Sequence, residues 1–283
     1  GSDPGSMDWI PALESAGSAR YYLLTGRDLA AERIVTHFLP HEEFVAASLN
    51  ACMTDYLLLG PADYAATFAS CRDFTGEIGF ERRVDGRNHV FTDLGESPLE
   101  ALGTYFHELG HALQDLTNPS LSTTLRTPNV RALLEAQAQI FEAAALRSIE
   151  EQTGISLMRF PDIAPMRSSV NFILDNTNNL LGSTDHSLGY KMLWMETLAN
   201  TSGLGTNTEL VNNRRLSASG AKALYDFLVA MQPSRVDGWV IGIFSVSTQA
   251  DRFMAISLTR LEAGLTTADY GHPGLQESAF LAP

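Results

Sequence analysis

The sequence predicts an α+β protein that is predominantly α-helical, with a small N-terminal antiparallel sheet packed on one helix and a helical C-terminal half. Three observations predict it. Asp85-Gly86 stands between two half-alternating segments, 77–84 and 89–93, which is a hairpin signal. Immediately after it, Ser97-Pro98-Leu99-Glu100 supplies an N-cap serine, a proline at the first helical position and a glutamate at the third, opening a helix that runs unbroken to about Leu116. Beyond residue 128, long stretches keep helical apolar spacing between loops rich in Gly, Ser, Thr and Asn.

Taken in order, Gly1 to Ser6 reads as a cloning remnant ahead of Met7, leaving 7–283 as a single domain with sub-lobes 7–116 and 117–283. Residues 7–38 read as helix interrupted at Thr25-Gly26-Arg27-Asp28, where Asp28 is expected to cap a second helix through Ile34 and Val35 that Pro40 ends. His37 and His41 are four apart, but Pro40 between them should break the turn that would align them. Segments 44–51 and 56–59 read as short strands, with a helical turn after Pro61. In the hairpin, His89 is expected to be exposed rather than a ligand. Thr127-Pro128 then caps a helix over about 129–151, and further helices are expected over 165–181, 186–200, 217–231 and 248–263.

The net charge of −14 and pI near 4.8 exclude the basic footprint that nucleic-acid binding requires. No basic n-region with an apolar h-region follows Met7, and the run Trp239 to Phe244 is too short to span a bilayer. The expectation is a soluble, cytoplasmic protein with no membrane and no nucleic-acid partner. Cys52 and Cys71, the only cysteines, lack Cys-x-x-Cys spacing and are expected to be free buried thiols in a reducing compartment.

The chemistry concentrates in Phe106-His107-Glu108-Leu109-Gly110-His111. Histidines four apart lie one turn above each other on a helix face, so both imidazoles can reach one metal ion. Glu108, next to His107, is placed to act as general base toward a metal-activated water. Apolar Leu99, Leu102, Phe106, Leu109 and Leu113 give this helix a side to bury, which a solvated helix carrying two chance histidines would not need. A catalytic Zn2+ takes three protein ligands. A third His six residues past His111 is absent, since Thr117 stands there. Glu135 is the preferred third ligand, because a carboxylate among Leu133, Leu134, Ala136 and Ala138 is expensive to bury unless paired or metal-bound. Glu142, seven residues on, shares its face and offers the same chemistry.

Together, the first motif and Glu135-Ala136-x-x-Gln139-x-x-Glu142 resemble the two zinc-binding helices of the thimet oligopeptidase family of gluzincins. The resemblance covers about residues 100–145 well. It implies a zincin-like fold, zinc held by His107, His111 and Glu135, Glu108 as general base, and a peptide or protein substrate. It extends weakly to Asp185-His186-Ser187-Leu188-Gly189-Tyr190-Lys191-Met192-Leu193-Trp194, where His186 and Tyr190, four apart, are candidate transition-state donors. In zinc peptidases of this kind an edge strand often pairs with extended substrate, a role open to the hairpin, which equally serves to cover the helix's apolar side. Three departures stand out: Gln114 where the family commonly has His, Met192 where a tyrosine is expected, and a much shorter chain. Asp115, Gln139 and Glu142 are candidates to orient the ligands. Arg126, Arg167, Arg214 and Arg215 are candidates to grip a terminal carboxylate. Two other readings use the same residues: a zinc hydrolase acting on a small-molecule or modified-peptide amide, and a catalytically silent zinc-binding interaction protein, against which an intact Glu108 speaks.

Overall fold

The computed structural model describes residues 9–58, 64–73, 78–119, 128–155 and 217–230, with Gly264. Within them the chain is mostly helical with one three-stranded mixed sheet, an α+β composition. It divides into two compact units, Gly1–Ala112 and Leu113–Pro283.

In the first unit, α1 (Ile10–Thr25) ends on Gly26, whose φ of 69° lets its N–H reach the Tyr22 carbonyl in a left-handed cap. Asp28 then caps as expected, its Oδ1 accepting from the N–H groups of Ala30 and Ala31 at 2.8 and 3.1 Å. A single turn follows, not a second helix. Arg33, at φ 59°, turns the chain into β1 (Ile34–Leu39), where β-branched Ile34, Val35 and Thr36 suit a pleated, half-buried surface.

Two further expectations are corrected. The segments read as strands, 44–51 and 56–59, belong within α2 (His41–Leu58) as far as Leu58; Phe44, Ser48 and Met53 face inward at roughly helical intervals, and the alanines between them favour helix. Helix α3 (Tyr64–Asp73) follows, and Cys71 is not a free thiol: it is bonded to Cys52 across α2 and α3, at a Cα separation of 5.7 Å.

The hairpin forms as its sequence predicts, β2 (Gly79–Val84) antiparallel to β3 (Arg87–Asp93), with Asp85 at φ 51° and Gly86 at φ 75° making the left-handed pair that a two-residue hairpin turn demands. The sheet is nevertheless mixed rather than antiparallel throughout. β1 pairs with β3 in parallel, Ile34 opposite Asn88 and Leu39 opposite Asp93, giving the order β1-β3-β2.

Side chains alternate across this sheet. One face carries a stacked row, His37 on Phe91 and Phe91 on Phe80, each with centroids 4.4 Å apart, and Phe44 of α2 lies 5.5 Å from Phe80. His37 Nε2 lies 2.9 Å from His89 Nδ1, so His89 is half-buried and hydrogen-bonded rather than exposed. Burial, and then the neighbouring His89, lowers the pKa of His37. His41 opens α2 and meets buried Asp93 at 2.6 Å, a hydrogen bond that raises the imidazole's pKa. The other face meets α4 (Pro98–Thr117): Phe38 lies edge-on to Tyr105 at 4.8 Å, and Asn88 Nδ2 donates to the Ala112 carbonyl. α1 closes against the same Tyr105 at Gly17, where an added Cβ would lie 2.0 Å from the ring.

In the second unit the core is α5 (Pro128–Thr153), whose Leu133, Ala136, Ile140, Phe141 and Ala144 are buried. It packs on α6 (Ala218–Val229), capped by Ser217, which accepts from the Gly220 N–H. Phe141 meets Tyr225 at 5.3 Å, and buried Gln137 Nε2 donates to the Leu228 carbonyl at 2.9 Å. The small alanines at 136, 138, 143, 144 and 145 are all buried, which lets neighbouring backbones come close. The helices expected over 165–181, 186–200 and 248–263 lie outside the described residues. Among the described residues no helix is long and apolar enough to cross a membrane.

Candidate metal centre

α4 begins with the reciprocal cap that its sequence encodes. Ser97 N–H donates to Glu100 Oε2 at 3.1 Å, the Ser97 hydroxyl reaches the same oxygen at 2.5 Å, and Glu100 N–H returns to Ser97 Oγ at 3.3 Å. These bonds hold the Glu100 carboxyl below its ordinary pKa. Past the first turn the helix is buried more widely than a single stripe. Leu99 and Leu102 are only half-buried, while every residue from Tyr105 to Gly110 is buried. His107 and Glu108 therefore stand in the part of the helix most withdrawn from solvent, at 8% and 5% exposure.

The two imidazoles cross at 78° with centroids 4.9 Å apart, and their Nε2 atoms are separated by 3.2 Å. Two zinc–nitrogen bonds meeting at the tetrahedral angle set their nitrogens about 3.3 Å apart. Glu135 of α5 completes the group: one ligand atom each from His107, His111 and Glu135 all lie within 4.8 Å of one another. Two imidazoles and one carboxylate are a donor set suited to zinc, so these residues fit the ion as a ligand group. Glu135 is half-buried, between buried Leu134 and buried Ala136.

Glu108 sits one residue from His107 and turns toward the sheet. Its side chain lies against Gly79, the first residue of β2. A Cβ built there would stand 2.9 Å from Glu108 Oε1 and 2.4 Å from Thr104 Cγ2. Sequence reading did not single out Gly79, although a glycine opening a strand is a known mark of close backbone approach. In the sequence Gln114 stands out only as a departure from a motif. That residue is buried at 3% exposure, and its Nε2 donates to the Leu134 carbonyl at 2.6 Å.

Of the other candidates, Asp115 and Glu142 are half-buried on α4 and α5, and Gln139 is buried, its Oε1 meeting no hydrogen-bond partner among the described residues. His186, Tyr190, Arg126, Arg167, Arg214 and Arg215 lie outside the described residues. Comparison with protein-family models, with curated proteins and with solved structures finds no match.

Proposed function

We propose that this chain is a zinc-dependent peptidase that hydrolyses peptide bonds, with a zincin-like catalytic core of gluzincin type. The observation that carries the reading is the His107, His111 and Glu135 group, with its ligand atoms within 4.8 Å, together with a buried Glu108 on the helix that bears the two histidines. His107, His111 and Glu135 would hold the ion. Zinc, when bound, supplies a Lewis acid that polarises a carbonyl and lowers the pKa of water toward neutrality. Glu108 takes the proton from the attacking water and delivers it to the departing amine. A purely structural zinc site has no use for a buried carboxylate at this position, since holding one away from water is costly. By motif resemblance, Tyr190 and His186 are the donors to the developing oxyanion.

Gly79 enters the same reading by keeping Glu108 in place. Gly79→Ala should leave bound zinc unchanged and lower kcat/KM on the order of 10²-fold, because a methyl among Thr104 and Glu108 must displace one of them and a shift of about 1 Å has that cost. Wild-type turnover in that variant would remove the role. A cytoplasmic setting completes the reading only in part, since glutathione keeps most cytosolic thiols reduced and Cys52 is bonded to Cys71.

The decisive test combines metal analysis of purified protein with digestion of a peptide library. The expected result is about one zinc per chain, with cleavage abolished by a chelator and restored by added zinc. Protein without divalent metal overturns the site; protein with zinc that cleaves no peptide overturns the activity.

A further inference from the structure

We propose that Gln114 is a positioning residue for the third metal ligand, holding α5 against α4 at the peptide bond that precedes Glu135. The inference rests on the zinc reading above and deepens it.

The ligands come from separate helices, α4 ending at Thr117 and α5 opening at Pro128, so the register of one against the other has to be set by the contacts between them. A metal site tolerates little error in that register, since its ligand distances are defined to about 0.2 Å. On an ideal helix Gln114 falls within about 60° of both His107 and His111, one turn further along the same face. Its side chain is buried and donates from Nε2 to the Leu134 carbonyl at 2.6 Å. Leu134 is the residue immediately before Glu135. A carbonyl has two lone pairs, so one inside a helix can accept this bond without surrendering its own. The amide therefore ties the backbone next to the ligand to the helix bearing the two histidines. An aliphatic side chain would fill the space without setting the register.

A merely structural amide is available as a control. Gln137 is equally buried, lies on the same helix as Glu135, and makes a comparable cross-helix bond to the Leu228 carbonyl at 2.9 Å, linking α5 to α6. Both substitutions, Gln114→Met and Gln137→Met, remove one buried amide donor and keep a side chain of similar length.

The experiment measures zinc affinity of the full chain by competition with a chelating dye, alongside urea unfolding of the metal-free protein. Gln114→Met is expected to weaken zinc binding about 10- to 100-fold, the range for residues that orient metal ligands. Gln137→Met is expected to keep it within about twofold while shifting the metal-free unfolding midpoint at least as much as Gln114→Met does. Wild-type affinity in Gln114→Met overturns the proposal, and so does an equal loss in both variants, which would make the effect general destabilisation. If Gln114→Met does not fold, Gln114→Asn carries the same criterion, since it keeps the buried amide but withdraws it by one methylene. A wild-type chain that binds no zinc is a different failure, removing the metal reading and this inference with it.

Discussion

Glu108→Gln should retain its zinc and lose about 10²- to 10⁴-fold in kcat/KM, the span general acid–base catalysis supplies. That is a loss of roughly 3–5 kcal/mol of transition-state stabilisation. The substitution isolates the chemistry because it changes little else. Glu108 is buried and packed against Gly79, and the amide has the carboxylate's shape, so the contact with Gly79 persists. Peptide turnover and zinc content measured on the same preparation check it. A variant that cleaves as fast as wild type removes Glu108 from the mechanism.

Glu135→Leu should abolish both metal retention and activity. Loss of a ligand must cost more than the 10- to 100-fold that follows when a residue orienting a ligand is lost, so zinc affinity should fall by more than about 10²-fold. Glu135 is half-buried beside Leu134 and Ala136, so a leucine of similar size is accommodated there. What disappears is the stabilisation that zinc confers, about 4 kcal/mol when its free concentration is a thousand times Kd. Thermal unfolding with and without zinc reads this directly: a zinc-dependent rise in Tm for wild type, none for Glu135→Leu. Glu142→Leu is the companion, expected to keep both zinc and the Tm rise, because Glu142 is outside the ligand group while sharing Glu135's helix face. Zinc lost from Glu142→Leu and kept by Glu135→Leu would reverse the assignment.

Legibility in this chain follows the range of the interactions. The opening of α4 was readable because Ser97 and Glu100 cap each other three residues apart, and the β2–β3 hairpin because Asp85-Gly86 alone specifies its turn. His107 and His111 were readable for the same reason, since helical periodicity fixes their relation. β1 was not. Its partner β3 lies far along the chain, and the Asp28 cap that really forms announced a helix that does not follow. Nor was the Cys52–Cys71 bond, because spacing says nothing of the antecedent fold that brings two Cα atoms to 5.7 Å. The parts of the site that escaped are those aimed at backbone. Gln114 serves a carbonyl, which every residue has, and Gly79 serves by lacking a side chain.

The sheet order β1-β3-β2 carries a consequence for how the chain is made. Its middle strand is the last of the three to emerge during synthesis. β2 and β3 can zip together locally within microseconds, but β1 must wait unpaired through the whole of α2 and α3 before its place exists. A nascent or truncated chain ending before Arg87 would display two orphan strands with nothing between them, the kind of open edge from which aggregation starts.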